Sequence, residues 1–171
     1  MAELLKEKDF DAVFALMEAS FPPDEYRPYA EQMALLKKPN YLVYGFKKEK
    51  TLMAFAAIHQ FDDFLFIEHL AVAPQHRNQG LGALLLAQLS AMTDKRICLE
   101  VEPPEGDLQK RRIGFYERNG FFLNQFPYVQ PAISKGRTPV PLLIMSTQGA
   151  VGRSDFDRIK DTLYRQVYGI I

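Results

Sequence analysis

Leu70-Ala71-Val72-Ala73-Pro74-Gln75-His76-Arg77-Asn78-Gln79-Gly80-Leu81-Gly82 is the stretch on which the reading of this chain turns. It leaves an apolar strand, crosses a polar turn that carries glycine, and enters an amphipathic helix predicted over Ala83 to Met92. A strand end, a tight glycine turn and a helix N-terminus together make a cradle for phosphate. Backbone N–H groups converge there, and the helix dipole adds about half a positive charge. Gly80 and Gly82 lack a Cβ, so a pyrophosphate can come close to the main chain. Arg77 can add a guanidinium to the same oxygens. The spacing Arg77-x-x-Gly80-x-Gly82 is neither the P-loop nor the Rossmann pattern. A plain turn of solvated polar residues can carry the same letters. The preceding Leu-x-Val-x-Pro favours the phosphate reading, because it ends a strand where the cradle needs one.

Outward from this turn, the 171 residues suit a domain with a real core, and 47% hydrophobic with 25% charged residues is a globular profile. Lys plus Arg and Asp plus Glu both total 21, so no basic surplus points to nucleic acid or an anionic membrane as the main partner. The lone cysteine, Cys98, excludes an internal disulfide and a cysteine zinc cluster, and its apolar strand-like setting favours a buried structural thiol. His59 and His76 have no metal-ligand spacing around them, so no metal is expected. The opening Met1-Ala2-Glu3, followed by charges at Lys6, Glu7, Lys8 and Asp9, shows no signal core. No apolar run approaches the roughly 20 residues that span a bilayer. The expectation is a cytoplasmic protein.

The predicted elements are a short strand at 3–6, helices over Asp9 to Ser20 and Tyr26 to Lys37, and strands over Tyr41–Phe46, Leu52–His59 and Phe64–Val72. The glycine turn and its helix follow, then a strand at Arg96–Val101 and a helix from Leu108 to Asn119 with Gly120 as its C′ residue. Strands at Phe121–Val129 and Val140–Ser146 close the domain. Gln148-Gly149-Ala150-Val151-Gly152 reads as a hinge. Beyond it, a tail helix opens with a capping box in Ser154-Asp155-Phe156-Asp157 and carries an apolar face of Phe156, Ile159, Leu163 and Val167.

Two segments carry a family resemblance. Leu70 to Pro74 with Arg77-Asn78-Gln79-Gly80-Leu81-Gly82 is similar to the acetyl-CoA motif of the GNAT superfamily of acyl-CoA N-acyltransferases. Gly114-Phe115-Tyr116-Glu117-Arg118-Asn119-Gly120-Phe121 is similar to that family's second signature, and the two occur in the family's order and separation. The resemblance implies an α/β (α+β) fold: a mixed, mostly antiparallel sheet of 6–7 strands with helices on both faces and a splay between two central strands, plus a C-terminal helix. The expected organisation is an acetyltransferase domain over 1–147 and a helix over 153–171, packed on that domain or on a partner subunit.

The resemblance also implies a mode of binding. The CoA pyrophosphate would sit on the amides of Arg77, Asn78, Gln79, Gly80, Leu81 and Gly82, and the pantetheine arm would lie like an added strand along Leu70, Ala71 and Val72. The Val72 amide would donate to the thioester carbonyl, a contact whose loss typically costs about 3 kcal/mol. Lys110, Arg111 and Arg112 can reach CoA phosphates, with a solvated helix face as the plain alternative. Tyr116 would be the general acid near the sulfur, or else a core tyrosine.

An attacking amine must first lose a proton, since a free amine has a pKa near 10 (about three units above neutrality). Glu100, in Leu99-Glu100-Val101, resembles a glutamate base of ribosomal-protein N-terminal acetyltransferases; Glu68, with the strand parity of Leu70 and Val72, competes with it. Each can instead be a structural carboxylate. By the same parity His69 points to the other face. Where many family members have Asn, seven residues before the tyrosine, this chain has Gln109.

The expected activity is direct acetyl transfer from acetyl-CoA to an amine of a small molecule or peptide. The resemblance implies an acceptor site built from Phe21–Tyr26, the turn Phe61–Phe64 and the loop around Tyr128 to Lys135, and aromatics beside acidic residues in the first two favour a cationic acceptor. Monomer and homodimer stay open. So do a catalytically silent acyl-CoA sensor and an interaction protein that uses its tail helix.

Overall fold

A computed structural model describes residues 1–170; residue 171, the last of the predicted tail helix, lies outside them. The chain forms a seven-stranded, mostly antiparallel sheet with five α-helices among the described residues, the last of them C-terminal. It divides into two compact units, Met1–Ile97 and Cys98–Ile171.

The first unit holds β1 (Glu3–Leu4), α1 (Phe10–Ser20), α2 (Tyr29–Ala34), β2 (Tyr41–Lys48), β3 (Thr51–Gln60), β4 (Phe64–Val72) and α3 (Leu81–Ala91). Strands β1 to β4 neighbour each other in sequence order, all antiparallel. The helical spacing of α1 buries Phe10, Val13, Phe14, Leu16 and Met17 in one cluster with Tyr41, Val43, Phe55 and Ala71. Edge-to-face rings extend it, with Phe14 at 5.8 Å from Tyr26 and 5.2 Å from Tyr29. The predicted helix over Tyr26 to Lys37 is shorter, because Pro28 keeps its predecessor out of the helical region and caps α2 itself. Its last turn, Leu35–Lys37, tightens to a 3-10 turn.

Strand β4 carries one more residue than its partner. Ala57 faces His69 and Ile58 faces Ile67, so Glu68 is the extra residue of a β-bulge. Strict alternation fails there. Glu68 and His69, expected on opposite faces, come together, with His69 Nδ1 4.0 Å from Glu68 Oε2.

The second unit contains most of β5 (Arg96–Val101), then α4 (Asp107–Arg118), β6 (Phe122–Gln130), β7 (Val140–Ser146) and α5 (Arg153–Thr162), with a π-helical turn at Leu163–Val167. β7 lies between β5 and β6, antiparallel to both. Cys98 is fully buried and unbridged. Helix α4 ends in a Schellman motif. Phe121 N–H bonds Tyr116 O at 3.0 Å and Gly120 N–H bonds Glu117 O at 3.2 Å, with Gly120 at φ +89°.

The tail docks on its own unit. Phe156, Ile159 and Leu163 are almost wholly buried, Val167 nearly so, and the Phe156 ring lies 4.8 Å from that of Phe126. The expected capping box does not form: α5 begins one residue before Ser154, at Arg153, so Gly152 is its N-cap and no side chain caps it. The segment read as a hinge is latched. Buried Asn124 donates to Ile144 O and Ser146 Oγ, both at 3.0 Å, and accepts from Val151 N–H at 2.8 Å, while Ser146 Oγ–H donates to Gly149 O at 3.0 Å.

Truncating Phe156 to alanine removes the largest apolar side chain of the tail and should destabilise the protein by about 3–5 kcal/mol in urea unfolding. A change under about 1 kcal/mol would mean the tail contributes little to the fold.

Candidate functional site

The glycine turn takes the conformation its sequence requires. Asn78 has φ +61° and Gly80 φ +78°, left-handed values that Asn tolerates and Gly adopts without a steric cost. Two such residues swing the chain into α3, whose first internal bond is Leu84 N–H to Gly80 O at 3.0 Å. No side chain caps the helix, so the N–H groups of Leu81, Gly82 and Ala83 have no intrahelical acceptor. Arg77, Asn78, Gln79 and Gly80 are exposed. Arg77 Nε donates to Val72 O at 3.3 Å, tying the turn back to the strand it leaves.

Strand alternation fixes where the β4 amides point. Ala73 N–H bonds Met53 O at 2.8 Å, so Ala73 and, two residues back, Ala71 turn their N–H groups toward β3. Leu70 and Val72 therefore turn theirs away from β3. Both residues are partly exposed, whereas Ala71 is buried. Of the three predicted strand residues, two present an amide outward.

Glu68 is the centre of a buried polar cluster. Its side chain is 2% exposed, its Oε1 lies 2.8 Å from Arg27 NH1, and its Oε2 lies 2.9 Å from His59 Nε2. Burial alone would raise this carboxyl, but the charge of Arg27, with the hydrogen bond to His59, outweighs it and holds the group far below the ordinary carboxylate range. Gln32 accepts from Arg27 NH1 at 3.4 Å and donates to Tyr41 OH at 3.1 Å. His69 Nε2–H donates to Glu25 O at 2.7 Å, and burial lowers its pKa, so it is neutral. Sequence reasoning missed Arg27, whose one mark is its place before Pro28.

In the second unit, Tyr116 sits in the last turn of α4. Its ring meets Phe121 edge-on at 5.7 Å across the Schellman motif and Phe115 at 5.1 Å. Burial pushes its phenol up to about 12, against a smaller downward pull from Arg112. It is thus a protonated donor at neutral pH. Arg112 NH1 lies 3.3 Å from Glu102 Oε1, which it shares with Gln109 Nε2 at 3.0 Å from Oε2. The pair is partly exposed and therefore weak.

Glu100, on β5, is only partly buried. Tyr128 O–H donates to its Oε2 at 2.5 Å and Tyr168 O–H to its Oε1 at 2.6 Å. Both tyrosines escaped sequence reasoning as partners of Glu100. The signal for the second was the spacing of four from Phe156 through Lys160 and Tyr164 to Tyr168.

A separate cleft of about 550 Å³ opens among β1, α2 and β2, lined mainly by Leu4, Leu5, Met33, Leu36 and Leu42. It shares no residue with the glycine turn or β4. No group of three His, Cys, Asp or Glu among the described residues is arranged to hold a metal ion, and no described helix is long and apolar enough to cross a membrane.

Replacing Arg27 by methionine strands a buried carboxylate and should cost about 3–5 kcal/mol near neutral pH. The folded-state pKa of Glu68 lies below its unfolded value, so the stability it contributes is present above the carboxylate range and lost as pH falls through it. In Arg27→Met the carboxyl can take up a proton instead. The deficit should therefore shrink as urea midpoints are followed from about pH 7 to about pH 4. A deficit constant across that range would show that the charge of Glu68 is not what Arg27 offsets.

Residues 10–121 match the acetyltransferase (GNAT) family. Two relatives go by the name "putative acetyltransferase". YjbC of Bacillus subtilis (strain 168) is 36% identical over 103 residues, which is 59% of this chain and 52% of YjbC, so the match spans about half the length of that curated relative. The solved structure of a GNAT-family protein from Bacteroides thetaiotaomicron is 30% identical with a TM-score of 0.89, covering 100% of this chain and 99% of that one. The crystal structure of an aminoglycoside 6'-N-acetyltransferase complexed with coenzyme A shares the fold at 17% identity and a TM-score of 0.64, over 86% of this chain and 96% of that one. With its glycine turn, its outward-facing strand amides and the tyrosine locked at the end of α4, the chain belongs to the GNAT family of acetyltransferases.

Proposed function

We propose that this protein is an acetyl-CoA-dependent N-acetyltransferase that passes acetyl directly to an amine of a small molecule or peptide. The observation that carries the reading is the left-handed turn at Asn78 and Gly80, which leaves the first amides of α3 without side-chain caps. Those amides suit a diphosphate, and a structural neighbour is a complex with coenzyme A. The outward N–H groups of Leu70 and Val72 suit the amide-bearing arm of the same molecule by strand addition. Arg77 and Arg112 are the cations assigned to its phosphates.

Acetyl-CoA supplies the thioester carbon that the amine attacks. The new bond is C–N and the broken bond is C–S. Val72 N–H is assigned to the carbonyl oxygen as it gains charge. Glu100 takes the proton from the amine, and Tyr116 gives its phenolic proton to the departing thiolate. Glu100 suits the base role better than Glu68. It accepts hydrogen bonds from two phenols, whereas the Glu68 side chain is 2% exposed and held ionised, chiefly by the charge of Arg27. Asp62 and Asp63, exposed beside Phe61 and Phe64, support a cationic acceptor.

A panel of amines with acetyl-CoA, read by released thiol, tests the activity. Tyr116→Phe should lower kcat by about 10²-fold or more and leave KM for acetyl-CoA within about twofold. Gly80→Val should raise that KM instead, because valine resists a positive φ. An unchanged kcat in Tyr116→Phe removes the acid assignment. Coenzyme binding without thiol release across the panel would make the protein a silent acyl-CoA-binding module.

A further inference from the structure

The tail lies beyond residues 10–121, yet it ends on Glu100. Its path is fixed at every step. Val151 is latched to Asn124, and the stripe Phe156, Ile159, Leu163 and Val167 is buried. Tyr164 O–H donates to Val129 O at 2.5 Å. The helix then widens into a π turn, closed by Tyr168 N–H to Leu163 O at 3.1 Å, a rare geometry with poorer packing than an α-turn. Just past Tyr168 the helix ends: Gly169 takes φ +69° and Ile170 N–H returns to Tyr164 O at 2.7 Å. What the geometry delivers is one hydroxyl on one carboxylate oxygen.

The other oxygen accepts from Tyr128. Tyr128 is itself braced by the tail, with ring centroids 5.9 Å from Tyr164 and 6.4 Å from Phe156. Burial and the charge of Glu100 push the Tyr128 phenol well above its ordinary range, so it stays a donor. The phenols of Tyr128, from β6, and Tyr168, from the tail, thus both donate to Glu100.

We infer that Tyr168 is a positioning residue for Glu100: together with Tyr128 it fixes the rotamer of that carboxylate, so the tail completes the proton-accepting site. This rests on the proposed role of Glu100 as base. Two O–H donors to a carboxylate favour its ionised form, the form that accepts a proton.

The test uses the full chain with Tyr168→Phe, which removes one oxygen and keeps the ring. Glu100→Gln and Tyr164→Phe accompany it; the latter loses the tail's bond to Val129 and none to Glu100. The readouts are the Glu100 carboxyl titration, followed by carbon NMR on glutamate-labelled protein, and kcat and KM with acetyl-CoA. Tyr168→Phe should raise the carboxyl midpoint by roughly one pH unit and lower kcat about tenfold, with KM for acetyl-CoA unchanged. Tyr164→Phe should match the unaltered protein in both. If Glu100→Gln is slow but Tyr168→Phe leaves titration and kcat where they were, the clamp is wrong and the base assignment stands. If Glu100→Gln is as fast as the unaltered protein, the base assignment fails and takes the catalytic meaning of the clamp with it. Equal shifts in Tyr168→Phe and Tyr164→Phe would reduce Tyr168 to a docking residue.

Discussion

An ionised carboxylate that cannot reach water has to be answered from every side, and Glu68 is answered by Arg27 and His59. Neither partner is near it in sequence. One comes from the connection between α1 and α2, the other from β3. A buried charge set of this kind gains little over an apolar one and loses heavily if a member is missing, so its value lies in specifying one arrangement. Gln32 and Tyr41 extend the set into α2 and β2, which ties four elements of the first unit to one side chain. The bulge that lets Glu68 reach this cluster also resets the alternation of β4. From Ala71 on, N–H groups alternate toward and away from β3, and the outward ones belong to Leu70 and Val72. A one-residue change of phase would turn them toward β3.

What could be read from the sequence was set by local periods. The helical spacing in α1, the glycine turn and the apolar stripe of the tail all depend on neighbours within a few residues, and they stand in the structure where the pattern put them. Gly120 after Tyr116 announced a left-handed C′ residue, which it is. The failures have one physical origin. No letter marks a bulge, so the parity argument separated Glu68 from His69, which share a cluster. The tail helix starts at Arg153 as expected, but Ser154 does not cap it, because the extended residue before the helix is Gly152. Tyr168 and Glu100 are 68 positions apart, and nothing local connects them.

The two groups proposed to move protons are held by opposite strategies. Tyr116 is set by a single short stretch: the helix end, the turn of Gly120 and the ring of Phe121. Glu100 is set by three separated segments, β5, β6 and the tail. The first device is carried entirely by a short motif, which explains why that motif could be recognised on sight. The second is assembled by tertiary packing, and its parts carry no common signature.

The latch of Asn124 and Ser146 on the connector before α5 bears on how copies of this chain behave when crowded. Exchange of a terminal helix between two molecules needs a connector that can straighten. Here Gln148 and Gly149 are both left-handed, at φ +62° and +88°, and the amide of Asn124 is spent on Val151. Straightening that link would pull Val151 N–H away from the buried Asn124 side-chain oxygen. The helix is thereby kept at home, and reciprocal entanglement of neighbouring chains is discouraged by a single asparagine.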